Sequence, residues 1–538
     1  MSVFRKMNAT KLNQANALST AETRKKTKSA QASMAETTAT PAEFEQHNGK
    51  TVKKTKRKKL VESGGQLEQI EQPDLLSQSD AVNGSTPSKS ASNGSACSQG
   101  MHLICDQEAL DLALAFVKAA VPTKLLQPVL ANILVIADQQ ENKVKLTASD
   151  ISLTLCAAFE AHVLRGGAIA LPAEILVSVI GKCPTGEITL ILSNATVAAK
   201  NGKTKSKAKT EAQELNSSPV VLLEDSQGGA VEIYGMDAGE FPEISVPAID
   251  LVSLPAKVVK AGLKGVIFAV STDDSKKILT GVQWVHSADR GKLRCTATDG
   301  HQVALIALST NGLGRKQRSK SDLSDQTCII PAKTLKELTR NLEKIEVDES
   351  LRFAYDAPLK RVLFEFSDKK LQKEIISQCL EDTYPDCQAL VDRYQYPKQV
   401  VVETNALLCK LDRLSALASK KENAVKLLFD NSRQEIYLTI ERDYGRGTQT
   451  VSATIPDELG KFEIQFNINY LINALKALSS SAVNFTMDRP YTPVSLKPVG
   501  DLEFPELAMD ATYFILPLYD LEKANQAKQE YNSESNSG

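Results

Sequence analysis

"LRCTATDGHQVALIAL", residues 293–308, decides the fold class. It reads as an alternating strand, a tight turn over Asp299-Gly300-His301 and a second alternating strand, which is the signature of a hairpin. The same shape stands at "VKLTASDISLTL" (144–155) and, more loosely, at "EIYLTIERDYGRGTQTVSATI" (435–455). A second trio, "IALPAEILVSVI" (169–180), "CIIPAKTLKELTRNL" (328–342) and "IQFNINYLINALKAL" (464–478), runs each time from a strand straight into an amphipathic helix. A third trio, "ICDQEALDLALAFVKAAV", "VSLPAKVVKAGLKGVIFAV" and "VVETNALLCKLDRLSALAS", opens the units. Equivalent points lie about 140 to 160 residues apart, so the chain carries an internal threefold repeat with units at 101–248, 249–397 and 398–520. Two helices among many hairpin-like strands predict an α+β class, with antiparallel sheets and the helices gathered on one face.

Outside the repeat the texture changes. Residues 1–100 are rich in Ser, Thr, Lys and Gln, carry the basic run "KKTKRKK" (53–59), and offer too little apolar surface to offset the entropy of ordering, so a disordered basic and polar extension is expected there. The near absence of acid from its first 35 residues also fits a transit peptide for a plastid-like organelle. A polar insertion is expected near 200–218 and a polar tail over 521–538. The formal net charge of −1 hides a division: residues 1–100 hold 15 Lys and Arg against 9 Asp and Glu, and the remainder holds 49 against 56. Nine cysteines without a CxxC pair suit reduced thiols in a cytoplasmic compartment. No apolar run approaches the 18 or more residues of a membrane span.

Catalysis finds no foothold. Asp299 and His301 are neighbours in a turn, and a nucleophile with its base and orienting acid must converge from separate places. The first unit keeps the acid as Asp150 but has neither the glycine nor the histidine, so a carboxylate capping the turn's backbone N–H groups is expected at both places. "NGKTKS" (201–206) lacks the upstream glycine of a phosphate loop, and the five histidines show no metal-ligand spacing. No cofactor and no metal are expected. The rival reading is a hydrolase using the Asp299/His301 region.

Lysines recur at helical spacing in the segments read as helices: Lys118 with Lys124 just after, Lys257, Lys260 and Lys264, then Lys333, Lys336, Arg340 and Lys344, then Lys410, Arg413 and Lys476. Helices gathered on one side would make that side basic, suited to a phosphate backbone and blind to sequence. "ATYFILPLYD" (511–520) reads as an apolar strand with an internal proline, which favours a sheet edge or terminus; the plain reading is the final core strand, and the alternative is that Phe514, Ile515, Leu516 and Leu518 rim an apolar groove for a partner peptide.

The chain also carries "AVPTKLLQPVLANILV", "LTASDISL", "ALPA", "EFPEI", "LTGV", "LRCTATDGHQVA", "IIPAKTLKEL", "YPDC", "FNINYLINALKAL" and "FILPL", in that order. Together they resemble the bacterial beta sliding clamp, the DNA polymerase III beta subunit, in its cyanobacterial form, from Met101 to Asp520. The resemblance implies three tandem copies of the processivity-clamp fold, sheets outside and helices lining the inside of a dimeric six-domain ring, loaded by an ATP-dependent clamp loader around duplex DNA. It implies a non-catalytic subunit that tethers the polymerase III alpha subunit and other proteins bearing clamp-binding motifs. On this resemblance Lys124, Lys276, Lys277 and Lys333 face DNA, and Val231, Ile233, Leu417 and Ala418 meet at the dimer seam. A pocket for partner peptides falls on Leu279, Thr298, Gly300, His301, Val303, Pro385, Leu390, Phe514, Ile515, Leu516, Pro517 and Leu518. Gln302 stands where the family often has arginine. The alternative within the same fold is a scaffold that does not encircle DNA.

Overall fold

The computed structural model describes residues 100–518 apart from 125–126, 194–218, 247–250, 288–290, 311–325, 345–349, 369, 395, 420–421 and 503–508. The basic extension, the 200–218 insertion and the 521–538 tail lie outside the described residues.

Unit 1 runs β1 (His102–Asp106), α1 (Gln107–Val117), β2 (Asn132–Asp138), β3 (Lys143–Ser149), β4 (Leu153–Glu160) and β5 (His162–Arg165). It continues with β6 (Gly167–Pro172), α2 (Ala173–Ile180), β7 (Glu187–Ser193), β8 (Val220–Asp225), β9 (Ala230–Tyr234) and the short β10 (Met236–Asp237). Unit 2 runs β11 (Val252–Pro255), α3 (Ala256–Val266), β12 (Gly281–Ser287), β13 (Lys292–Thr298) and β14 (Gln302–Ser309). β15 (Gln326–Pro331), α4 (Ala332–Leu342), β16 (Ser350–Asp356), β17 (Arg361–Ser367), β18 (Gln372–Gln378) and α5 (Cys387–Asp392) complete it. Unit 3 runs β19 (Lys398–Glu403), α6 (Thr404–Ser415), β20 (Ala424–Asp430), β21 (Glu435–Arg442) and β22 (Gly445–Thr454). It closes with β23 (Lys461–Asn467), α7 (Ile468–Ala477), β24 (Ser480–Met487), β25 (Val494–Leu502) and β26 (Asp510–Ile515).

The strand-into-helix joints follow from local chemistry. Asp106 and Asn467 hold extended backbone, and their side chains accept from Ala109 N (3.3 Å) and Asn469 N (3.0 Å) to cap α1 and α7. Pro172 and Pro331 end β6 and β15, where a residue without N–H costs no helix bond. In unit 2 the helix lies very close to its sheet: a Cβ on Gly265 would fall 1.8 Å from Ile306 Cδ1. Trp284 on β12 is fully buried against Phe353 and Phe364, with ring centroids 5.6 and 6.0 Å away, joining the two halves of that unit's core.

All strand pairs are antiparallel, in three sheets. Their orders are β5-β1-β7-β8-β9, then β10-β6-β2-β3-β4-β18-β17-β16-β11, then β15-β12-β13-β14-β26-β25-β24-β19-β22-β21-β20-β23. The larger two cross from one unit to the next. β4 pairs β18 over six residue pairs from Gln372↔Ala158 to Ser377↔Leu153, and β14 pairs β26 over six from Gln302↔Ile515 to Ala307↔Asp510. Each seam therefore joins the strand after the hairpin turn of one unit to the last strand of the following unit. Of the readings open for the C-terminal run, the structure gives the final core strand: β26 lies between β14 and β25 and not at an edge, and Pro517 falls two residues past its end, where it interrupts no ladder.

The hairpin turns of units 1 and 2 are built alike. Asp299 Oδ1 accepts from His301 N (2.8 Å) and Gln302 N (2.9 Å), and Asp150 Oδ1 accepts from Ser152 N (3.0 Å) and Leu153 N (2.7 Å). The central residue has positive φ in both, +92° at Gly300 and +76° at Ile151. Glycine tolerates that conformation and a β-branched residue does not. Ile151 is 55% exposed, so little packing compensates. Ile151→Gly is expected to stabilise the chain by about 1 kcal/mol, read as a higher denaturation midpoint at unchanged slope; an unchanged or lower midpoint would show that the turn carries no strain.

Candidate functional site

Beside the unit 2–unit 3 seam the structure opens a cleft of about 270 Å³. Of the twelve residues expected in a peptide pocket, nine line it: Leu279, Thr298, Gly300, His301, Val303, Pro385, Leu390, Phe514 and Leu516. They come from four places that only the fold unites: the segment entering β12, the Asp299 turn, the stretch before and within α5, and the end of β26. Ile515, Pro517 and Leu518 do not line it, a correction with a simple cause. Side chains alternate along a strand, so Phe514 and Leu516 turn toward the cleft while Ile515 enters the core. Pro517 is buried, and the Leu518 N–H leaves toward unit 3, donating to Gln465 O at 2.7 Å. Leu516, 38% exposed, is the open apolar wall.

Gln302, noted for standing where the family often has arginine, lines the cleft as well, and sequence reasoning missed three further lining residues: Asp386, Cys387 and Pro493. The first two sit between expected ones and were legible from the run itself. Pro493 has no local signal; it arrives because the next residue, Val494, starts β25 and pairs with Ile515.

The cleft's back wall is fixed by hydrogen bonds. Tyr384 Oη accepts from Thr298 N (3.1 Å) and donates to Gly281 O (3.3 Å); burial, with Cys387 nearby, pushes its hydroxyl well above the ordinary tyrosine value. Thr298 Oγ1 donates to Gln302 O (2.7 Å) and accepts from Gly300 N (3.1 Å). Across the seam the His301 ring stacks on Tyr470 of α7, centroids 6.4 Å apart and planes 20° apart. Burial and the neighbouring, hydrogen-bonded Asp299 push Tyr470 up to about 12.

A cysteine, a histidine and an aspartate thus share one cleft without forming a catalytic set. Burial, then Asp386, pushes the Cys387 thiol up to about 11, so it stays protonated at neutral pH. The Asp299 carboxylate is committed to the turn's N–H groups and to Gln302 Nε2 (3.0 Å). Among the described residues no hydrogen bond links His301 to Cys387, and no cluster of three or more His, Cys, Asp or Glu is placed to hold a metal ion. The arrangement can enclose an apolar segment; it has no activated nucleophile.

At the first seam "EFPEI" (240–244) stands where unit 2 has "TYPDC" (383–387), which puts Ile244 at the position of Cys387. Half-buried Ile244 packs both on the cluster of Val129, Leu130, Ala170 and Phe241 and on that of Ala354, Leu363 and Ile376. Ile376 faces Thr154 as Phe514 faces Val303.

The expected DNA-side residues are exposed but scattered. Lys124 lies in the turn before β2, and Lys276 and Lys277 lie in the 3-10 segment Asp274–Thr280 that ends one residue beyond cleft-lining Leu279. Lys333, at the start of α4, is ion-paired to Asp150 of unit 1. Although burial opposes it, hydrogen bonds from Lys333, Ser152 and Leu153 hold the Asp150 carboxyl below its ordinary value.

At the chain's two ends each expected seam residue has its place. Val231 on β9 is 39% exposed, whereas Ile233, two residues on and on the same strand face, is fully buried in the unit 1 core and offers nothing to a neighbour. Leu417 and Ala418 follow α6, half-buried; Leu417 packs onto β22, where a Cβ on Gly447 would meet its Cδ1 at 2.9 Å. Tyr444, missed in the sequence, donates from Oη to Leu417 O at 3.0 Å.

Three family models, the DNA polymerase III beta subunit N-terminal, central and C-terminal domains, match residues 101–221, 253–386 and 394–512. The chain belongs to the DNA polymerase III beta-subunit family. The beta sliding clamp of Synechocystis sp. is 33% identical over 423 residues, covering 78% of this chain and 99% of that protein. That of Synechococcus elongatus is 30% identical over 421 residues, with the same coverage. Among solved structures, the DNA polymerase sliding clamp of Bacillus subtilis matches with a TM-score of 0.64 at 21% identity, and the DNA polymerase III subunit beta of Pseudomonas aeruginosa with 0.62 at 20%. Both cover 78% of this chain and all of theirs, and they show the clamp fold. As a beta subunit the chain is a non-catalytic processivity component, and the hydrolase reading falls. Among the described residues no helix is long and apolar enough to cross a membrane.

Proposed function

We propose that two copies of this chain close head to tail into a six-unit ring around duplex DNA, loaded by an ATP-driven clamp loader, and that the cleft tethers the polymerase III alpha subunit, the loader and other proteins bearing clamp-binding motifs. Cytoplasmic replication of DNA is the setting this reading assumes. The observation that carries it is the pattern of seams. β4 pairs β18 and β14 pairs β26, so the fourth strand of one unit meets the last strand of the next. One of each kind is left over. β9 ends its sheet, and among the described residues the pairing of β22 beyond β21 is confined to Val401↔Thr454 and Val402↔Ala453, leaving Gly445–Ser452 with an open edge. An open edge of this kind is a template for another chain. A second copy satisfies both edges by repeating the seam already made twice, a heterologous contact that closes.

Tethering explains the benefit to a polymerase without any chemistry: rebinding to the primer end becomes intramolecular, at a high effective concentration. The test is topological. Loaded with a clamp loader and ATP onto nicked circular plasmid, the protein is expected to stay on the circle and to run off within minutes once the plasmid is linearised. Equal loss from circle and linear DNA would overturn the ring and favour the scaffold that does not encircle DNA.

A further inference from the structure

The first helices of the three units, α1, α3 and α6, begin at Gln107, Ala256 and Thr404, so their positions can be matched one for one. At the second, fifth and ninth positions, which share one helical face, unit 1 has Glu108, Asp111 and Ala115. Unit 2 has Lys257, Lys260 and Lys264, and unit 3 has Asn405, Leu408 and Asp412. The second helices, α2, α4 and α7, begin at Ala173, Ala332 and Ile468, and their second positions are Glu174, Lys333 and Asn469. None of these twelve residues is buried. At four equivalent places the formal charge is therefore −3 in unit 1, +4 in unit 2 and −1 in unit 3.

Surrounding side chains refine the contrast. Lys333 is ion-paired to Asp150, and Lys264 Nζ donates to the Ser479 hydroxyl at 3.3 Å. Further along α4, Lys336 and Arg340 add to unit 2, although Arg340 is paired with Glu337. Unit 1 instead shows Leu112 and Ile175, 43% and 51% exposed, on the helices where unit 2 shows lysine. Lys118 falls in the 3-10 turn after α1, and the basic surface of these helices belongs chiefly to one unit in three.

We infer that the duplex is held by the unit 2 helices, and not by the helices of units 1 and 3. This rests on the ring reading, and it adds the geometry of the grip. In the order 1-2-3-1-2-3 the two copies of unit 2 are opposite each other, so phosphates meet two facing basic saddles separated by stretches that carry less positive charge. Such a hold is sequence-blind, and the intervening non-basic stretches leave the duplex free to turn within the ring.

The test moves charge without changing the total. In the full chain, Asp111→Lys combined with Lys260→Asp keeps the net charge, and Ala115→Lys combined with Lys264→Ala is a second such pair. Affinity for a short duplex, followed by fluorescence anisotropy across a salt series, is expected to fall several-fold for each pair. The slope of log affinity against log salt should become shallower by about 2, because each protomer of the dimer then neutralises one phosphate fewer, at about 0.9 per phosphate. Wild-type melting temperature and dimer mass show that the variants fold. Unchanged affinity and slope would mean that total charge decides, and the inference fails; a gain in affinity would place the duplex on unit 1. Plasmid retention separates the two readings. Wild-type protein held on circles but not on linear DNA, with swaps that have no effect, leaves the ring standing and removes the grip. Equal loss from both forms, with swaps that still weaken binding, removes the ring and keeps unit 2 as the contact.

Discussion

Replacing Val231 with glutamate is expected to turn the dimer into a monomer at micromolar concentration and to abolish retention on circular DNA, with the melting temperature of the chain almost unchanged. Val231 suits this test because it lies on the open edge of β9 and is exposed within one chain, so its replacement removes nothing from the unit 1 core. Ile233, on the same strand, is fully buried, and a charge there would unfold the unit rather than probe the seam. If β9 meets the open edge of β22 in a second copy, glutamate would be taken out of water beside Leu417 and Tyr444, in place of an apolar contact. An unpaired buried charge costs several kcal/mol, and about 3 kcal/mol raises a dissociation constant some hundredfold. A closed ring has two such seams and opens if either fails. The companion substitution Leu417→Arg should weaken the wild-type dimer as well, and the double variant should recover part of what each loses. Sedimentation at several concentrations reads the outcome. A Val231→Glu protein that remains dimeric would place the contact elsewhere and remove the seam inferred from β4–β18 and β14–β26.

What the sequence showed, and what it withheld, divides along a physical line. Strand-to-helix joints were legible because proline, aspartate and asparagine mark them locally at Pro172, Pro331, Asp106 and Asn467. The Asp299 turn was legible because a carboxylate two or three residues before open N–H groups has one common use, and Gly300 announces positive φ. The run of apolar residues at the C-terminal end was seen, but its place in the sheet was not. Pro517 suggested an edge, whereas the ladder stops at Ile515 and the strand sits between β14 and β25. That outcome is set by pairing with residues some 200 positions away, and no local rule reports it. The faces within that run were also hidden until the register was known: once Phe514 stands opposite Val303, alternation sends Ile515 inward. The pocket residues themselves came from family resemblance. The residues that resemblance did not supply, such as Pro493 and Tyr444, are brought in by sheet pairing or by a single long-range hydrogen bond.

Leu516→Asp is expected to lower the affinity of a clamp-binding peptide by about a hundredfold while leaving dimerisation and DNA retention intact. The cleft offers an occupant mainly apolar surface from Leu279, Val303, Pro385, Leu390, Phe514 and Leu516, with the polar groups at its back already engaged by Tyr384 and Thr298. A carboxylate at 516 would be desolvated by any apolar side chain that enters, at a cost of several kcal/mol. Leu516 is the right wall to change. Phe514 is almost fully buried and supports the seam, so its loss would confound docking with folding. His301→Ala should act more weakly, about tenfold, because it removes one face of the cleft and its stacking on Tyr470 without introducing a charge. The first seam provides the internal comparison: Ile244 packs between two clusters there, at the position Cys387 holds in the second, and Ile244→Asp is expected to lower the melting temperature and not the peptide affinity. Isothermal titration with a peptide of the motif class, set beside thermal denaturation of the same proteins, separates these outcomes. Full peptide affinity in Leu516→Asp would show that partners dock elsewhere. A loss of affinity in Ile244→Asp equal to that in Leu516→Asp would mean that the two seams respond together, and that the open cleft is not an independent site.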